Sequence, residues 1–239
     1  FHSDDASQGV VRLVKEAYPQ ETLYPVHRLD KITSGLMVFA RSSEVNTLLS
    51  KQLQDKQIEK YYLAISNYKP VKKQGAVSGD MKKGRRGSYL LLRSKLNPAV
   101  THFFAKSFNN KGQRCWLFVL KPETGKTHQL RVAMKSLASP VLGDKRYEQQ
   151  NNEDKKSPTQ TDSLTSNFIN KPAIDAQKRG YLHAYKIRFD LFDKRYEITD
   201  LLFSGACFDL EAHLHNEDIT TLLQPEKLMW PKRAFKLKE

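Results

Sequence analysis

The constraint that most narrows the fold is a series of apolar segments of strand length. Residues 61–66, 89–94, 99–108 and 115–122 each concentrate Tyr, Phe, Leu, Ile or Val and follow one another closely along the chain. Residues 61–66 alternate as a half-buried strand would. Residues 182–191 and 195–202 read as a hairpin around Asp193-Lys194. Strands outnumber helices and lie close together. This predicts an α+β chain on a mixed or mainly antiparallel sheet, rather than a doubly wound parallel one.

The expected helices are few. Residues 43–56 follow a capping Ser42 or Ser43 and carry Val45, Leu48, Leu49 and Leu53 at helical spacing. Residues 10–18 suit a short amphipathic helix, with Val10, Val11, Val14 and Ala17 on one face, and residues 128–136 fit a helix after a Gly-containing turn. Residues 35–40 read as one short strand.

Charge narrows the partner. The 239 residues hold 40 Lys or Arg against 26 Asp or Glu, a formal net charge of +14. Such a balance favours a polyanion: RNA, DNA or an anionic membrane surface. Much of it lies in residues 69–95, where Lys69, Lys72, Lys73, Lys82, Lys83, Arg85, Arg86, Arg93 and Lys95 face the lone acid Asp80. Gly75, Gly79, Gly84 and Gly87 punctuate that stretch, which reads as a loop or loose hairpin suited to phosphate contact. Residues 149–178 are polar and rich in Ser, Thr, Asn and Gln, the composition of a mobile insertion. No apolar run approaches the ~18 residues of a membrane span, and no basic amphipathic helix carries Trp or Phe on its apolar face. Cys115 and Cys207 are too few to form a zinc site, and a reducing cytoplasm is the default.

Individually, the candidate chemical residues are ambiguous. Asp30, before Thr33-Ser34-Gly35, could be a nucleophile, a base, a metal ligand or a turn cap, and spacing alone prefers the cap. Tyr61 and Tyr62 point to opposite faces of their strand, so one can fill core while the other meets a cleft. Thr124-Gly125-Lys126-Thr127 looks like the end of a P-loop, but Leu120 stands where the earlier glycine is needed, which excludes nucleotide hydrolysis on that motif. His183 at a strand start suits a structural histidine.

In order along the chain, these segments acquire a shared meaning. HRLDKITSGL, residues 27–36, resembles the catalytic motif of the RluA family of pseudouridine synthases. KYYLAI resembles that family's Lys-x-Tyr-x-Ala motif, and PETGKTHQLRVAM its Thr-Gly-Arg-x-His-Gln-Leu-Arg motif. PVLGDKRY and YLHAYKIRF resemble its two closing motifs, and Pro98-Ala99-Val100-Thr101-His102 looks like the strand that precedes the third motif. The resemblance spans about residues 20–192. Lys126 replaces the family's usual Arg, while Ala133 and Ser139 replace common histidines.

The resemblance implies a pseudouridine synthase fold: a curved, mixed or mainly antiparallel sheet flanked by helices, with the catalytic cleft across it. Residues 1–202 would form the catalytic domain, the family's opening Lys-Pro-x-Gly strand is expected before Phe1, and residues 203–239 would be an extension. No N-terminal S4 domain is visible. The implied activity is isomerisation of specific uridines in tRNA or rRNA to pseudouridine, by a cytoplasmic monomer needing no cofactor or metal and binding neither DNA nor membrane. The implied catalytic carboxylate is Asp30, which would attack C1′, attack C6 or remove the C2′ proton. Arg131 would pair with it through a planar fork, and no second acid is expected nearby. Tyr62 would stack on the uracil and assist loss of the C5 proton. His27 and Arg28 would line the cleft edge, Arg28 replacing the extruded base in the stack. Lys60, Lys126 and His128, with Lys82, Lys83, Arg85 and Arg86 of the basic stretch, would meet RNA. The alternative is a non-catalytic RNA-binding protein that retains the fold. A glycosidase reading would require a second carboxylate in the cleft.

Overall fold

The computed structural model describes residues 9–148, 179–200 and 217–231. The proposed insertion 149–178 lies outside the described residues, as do Lys232, Arg233, Lys236 and Lys238, which sequence alone suggests as an extension of the basic surface. The first half of the chain forms α1 (Val10–Ala17), β1 (Tyr24–Pro25), β2 (Thr33–Gly35), β3 (Phe39–Ala40), α2 (Ser43–Gln54), β4 (Glu59–Ser66) and β5 (Gln74–Gly79). β6 (Met81–Lys83), β7 (Tyr89–Leu91), β8 (Ala99–Asn110), β9 (Gln113–Pro122), α3 (Gln129–Ser136) and α4 (Lys145–Glu148) follow. β10 (Leu182–Leu191), β11 (Lys194–Thr199) and α5 (Glu217–Leu222) come last.

The main sheet runs β11-β10-β4-β9-β8-β5 with every neighbour antiparallel. β2 adds a parallel pairing to the first residues of β10. The sheet is therefore mixed and mainly antiparallel, and the class is α+β as expected. Two-residue hairpin turns close β8–β9 at Lys111-Gly112 and β10–β11 at Phe192-Asp193, all four residues at positive φ as such turns require. The second turn lies one residue before the expected Asp193-Lys194.

Alternation along the strands makes two apolar faces. Tyr61, Leu63, Ile65, Leu117 and Val119 point to one face, where Ile219 and Leu222 of α5 are buried against them and Trp230 packs beside them. Tyr62, Ala64, Phe118 and Leu120 point to the other, which Ala133 and Met134 of α3 cover. Burial of these branched and aromatic side chains on both faces supplies the main stabilising term. A third cluster packs Leu49 of α2 on Ile187 and Phe189 of β10. Residues 217–231, expected as an extension, thus pack into the core of the body. Trp230 packs there, while Met229 is exposed.

Three local expectations change. Residues 35–40 are not one strand: β2 ends at Gly35, whose φ is +99°, and β3 begins only at Phe39. The stretch 69–95 is more ordered than a loop: β5 is a sheet strand, and β6 and β7 form their own antiparallel hairpin. Helix α1 forms as expected, but none of its residues is buried. Among the described residues, no helix is long and apolar enough to cross a membrane.

Candidate active site

Asp30 precedes β2, and β2 is fixed by a strand distant in sequence. Leu36 N–H donates to Ala184 O at 2.9 Å. Ser34 Oγ lies 2.9 Å from His183 Nδ1 and accepts from Arg179 Nη2 at 2.8 Å. At Gly35 a Cβ would fall 2.3 Å from Ala184 O, so close backbone approach as well as positive φ demands glycine. The turn itself is closed by main chain, Thr33 N–H donating to Asp30 O at 2.8 Å. The turn therefore does not need the Asp30 carboxylate as its cap.

That carboxylate meets Arg131 instead. Asp30 Oδ2 lies 3.7 Å from Arg131 Nη1, with the acid side chain about one-fifth exposed and the arginine nearly buried. The tightest partner of Arg131 is a different acid. Its Nε and Nη2 donate to Asp144 Oδ2 and Oδ1 at 2.6 and 2.8 Å. Arg131 thus meets Asp30 and also Asp144, an acid that lies outside the cleft, while the cleft, where no second acid is expected, is also lined by Glu59 and Glu123. The guanidinium has two usable edges: Asp144 takes one in bidentate fashion, and Nη1 is turned to Asp30. Burial opposes the charge on Arg131, but the hydrogen bonds and charge of Asp144, with Asp30 behind them, outweigh it and raise its pKa.

A tyrosine platform supports the fork. The Tyr147 ring lies 4.9 Å from the Arg131 guanidinium carbon, a cation–π contact. Its hydroxyl accepts from Tyr89 N–H at 2.9 Å and lies 3.0 Å from His128 Nδ1. His128 caps α3 in left-handed backbone, φ 58°, with its ring edge-on to Tyr89 and Tyr147. Burial first, then the charge of Arg131, lowers its pKa, so a neutral ring accepting the Tyr147 O–H accounts for the contact. Gln129 is fully used: its amide donates to Val100 O and Thr101 Oγ1, while its Oε1 accepts from Thr124 Oγ1 and Lys126 N–H. It ties the turn before α3 to β8.

A cleft of about 500 Å³ opens above Asp30. It brings together His27, Arg28, Asp30, Lys60, Tyr62 and Lys126 of the expected residues. Tyr62 is buried, and burial first, then the Asp30 charge, raises its pKa, so the phenol stays protonated. His27 accepts from Val38 N–H at 3.2 Å through Nε2, and burial first, then Lys60, lowers its pKa to about 4. Burial also lowers the pKa of Lys60. Lys126 reaches Asn97 O with its ammonium. Arg131 and His128 lie outside the lining, as do Lys82, Lys83, Arg85 and Arg86 of the hairpin. The hairpin is nonetheless tied to the Arg131 platform by Tyr89 and by Arg146, which donates to Gly87 O at 2.7 Å.

Sequence alone gives no role to Asp144, Tyr147 or Gln129. All three stand inside the motifs PVLGDKRY and PETGKTHQLRVAM.

Comparison with known proteins agrees with the geometry. A family model described as RNA pseudouridylate synthase matches residues 3–136. An uncharacterized RNA pseudouridine synthase of Haemophilus influenzae is 42% identical over 204 residues, 85% of this chain and 80% of that protein. The ribosomal large subunit pseudouridine synthase D of Borreliella burgdorferi is 35% identical over 141 residues, 57% of this chain and 42% of that one. The fold matches human RNA Pseudouridylate Synthase Domain Containing 4 with a TM-score of 0.62 and 23% identity, over 88% of this chain and 84% of the other. With its ordered motifs, its mixed sheet and these matches, the chain belongs to the RluA family of RNA pseudouridine synthases, which are isomerases.

Proposed function

We propose that this protein isomerises uridines of cytoplasmic tRNA or rRNA to pseudouridine, acting as a monomer, with Asp30 as the catalytic carboxylate. The observation that carries the proposal is the placement of Asp30, partly exposed at the cleft and 3.7 Å from a buried arginine already anchored elsewhere. The reaction breaks N1–C1′, turns the base, joins C5 to C1′, and moves a proton from C5 to N1. The sugar carbon becomes electron-poor as its bond breaks, and a fixed carboxylate stabilises it or bonds to it. Arg131 orients Asp30 through Nη1, while Asp144 supplies the main neutralisation of the guanidinium. Tyr62 stacks on the uracil; its raised pKa works against a role as phenolate base. Arg28 takes the place of the extruded base. The name of the Borreliella relative supports ribosomal RNA as one substrate class.

Tritium release from RNA labelled as [5-³H]uridine tests the reading, since C5 must lose its hydrogen. Wild type should release tritium from a pooled tRNA and rRNA substrate, and Asp30→Asn should release none. If neither releases any, the protein is an RNA-binding relative without the activity.

A further inference from the structure

The cleft does not stop at the face of the sheet that holds Asp30. Tyr62 and Tyr61 are successive residues of β4 and point to opposite faces, the first toward α3 and the second toward α5. Lys121 stands directly beside Tyr61 in the antiparallel register that pairs Tyr62 with Leu120. Yet one continuous cavity is lined by Tyr62 and Asp30 together with Lys121, Trp230 and Pro231. It therefore runs around the open end of the sheet, past the start of β4 and the end of β9, to the opposite face.

Trp230 is built as a fixed surface there. Its Nε1 donates to Pro225 O at 2.7 Å, and its backbone N–H donates to Leu228 O at 2.9 Å. The indole leans on Phe104 edge-on at 5.0 Å and on Tyr61 at 5.9 Å. The Lys121 ammonium lies 5.9 Å from its centroid and pairs with Glu59 at 2.5 Å. Despite these contacts the ring is not fully buried, and Trp230 lines the cavity. A partly exposed aromatic ring, locked by a hydrogen bond and lining the same cavity as the Asp30 cleft, has the properties of a stacking platform for a base.

We propose that Trp230 forms a second nucleotide subsite, stacking a base of the RNA strand next to the target uridine. The inference rests on the RNA-modifying reading of the Asp30 cleft. It makes the C-terminal segment a determinant of which RNA is accepted, since the strand must bend around the end of the sheet to occupy both faces at once. An RNA loop, with bases already splayed, suits that path better than a duplex.

The chain contains two tryptophans, and Trp116 is buried in the other face. In the full chain carrying Trp116→Phe, Trp230 is the sole indole reporter. Titration with a short single-stranded oligoribonucleotide, a central uridine flanked by adenosines, is followed by anisotropy of a label on the RNA and by indole emission. Quenching of Trp230 that saturates together with anisotropy is the expected result. Trp230→Ala should weaken binding roughly 5- to 100-fold and Trp230→Phe much less, each checked for folding by circular dichroism. Saturating anisotropy with unchanged emission overturns the subsite and leaves the Asp30 reading standing. An absence of binding overturns both. Should Trp230→Ala not fold, the quenching measurement on the folded single-tryptophan protein still decides.

Discussion

Arg131 joins a buried ion pair to the candidate carboxylate of the cleft. Its bidentate contact with Asp144 is buried on both sides, and its contact with Asp30 is longer and partly open. Removing Asp144 leaves a guanidinium in the interior whose acidic partner among the described residues is Asp30 at 3.7 Å. Asp144→Ala should therefore lose about 3–5 kcal/mol of stability, measured by urea denaturation. Asp30→Asn should cost far less stability while removing activity. His27 gives a pH signature. Its pKa is about 4 when folded against an ordinary 6.5, so the unfolded chain gains a proton in that window before the folded chain does. Stability is intact above pH 6.5 and falls as pH drops toward 4, by up to about 3 kcal/mol from this group. His128 and His183 shift in the same direction, so His27→Gln should flatten part of the acid slope in denaturation curves across that range and leave their share.

The elements with regular apolar patterns were legible from sequence. β8, β9 and β10 alternate or run apolar throughout because two layers cover the sheet, and α2 shows its cap and stripe as expected, Ser42 Oγ accepting from Val45 N–H at 3.2 Å. β5 was not legible. Only Val77 and Gly79 are buried in it, and basic residues flank it, so its periodicity is hidden while main-chain pairing with β8 holds it. At the site, motif order located Asp30, Tyr62 and Arg131, but the Arg131–Asp144 pairing depends on the turn after α3, which no local pattern encodes. β2 offers an element-scale test. Gly35→Ala must place a methyl against Ala184 O in left-handed backbone. It should cost more than about 2 kcal/mol by urea denaturation and lower tritium release by displacing the Asp30 loop.

At the scale of the molecule, charge and cleft divide the work. Lys82, Lys83, Arg85 and Arg86 ride on the β6–β7 hairpin outside the cleft, so their contribution to RNA binding should be general attraction rather than choice of base. Replacing all four by Gln should weaken binding and flatten the dependence of log K on log salt by roughly 0.7 for each phosphate that is no longer neutralised. An unchanged slope would show that the hairpin does not touch RNA.

The parallel pairing of β2 with β10 has a consequence for how the protein is made. The two partners, Thr33–Gly35 and Leu182–Ala184, stand about 150 positions apart in the chain. Among the described residues β2 has no other strand partner. During synthesis, the Asp30 loop emerges before β10, and β2 has no strand to pair with until Ala184 has left the ribosome. The β8–β9 hairpin, whose contacts are local, can close long before that. A nascent chain halted before β10 should thus hold folded hairpins and an unplaced Asp30, so that the Asp30 loop is docked only once β10 has been made.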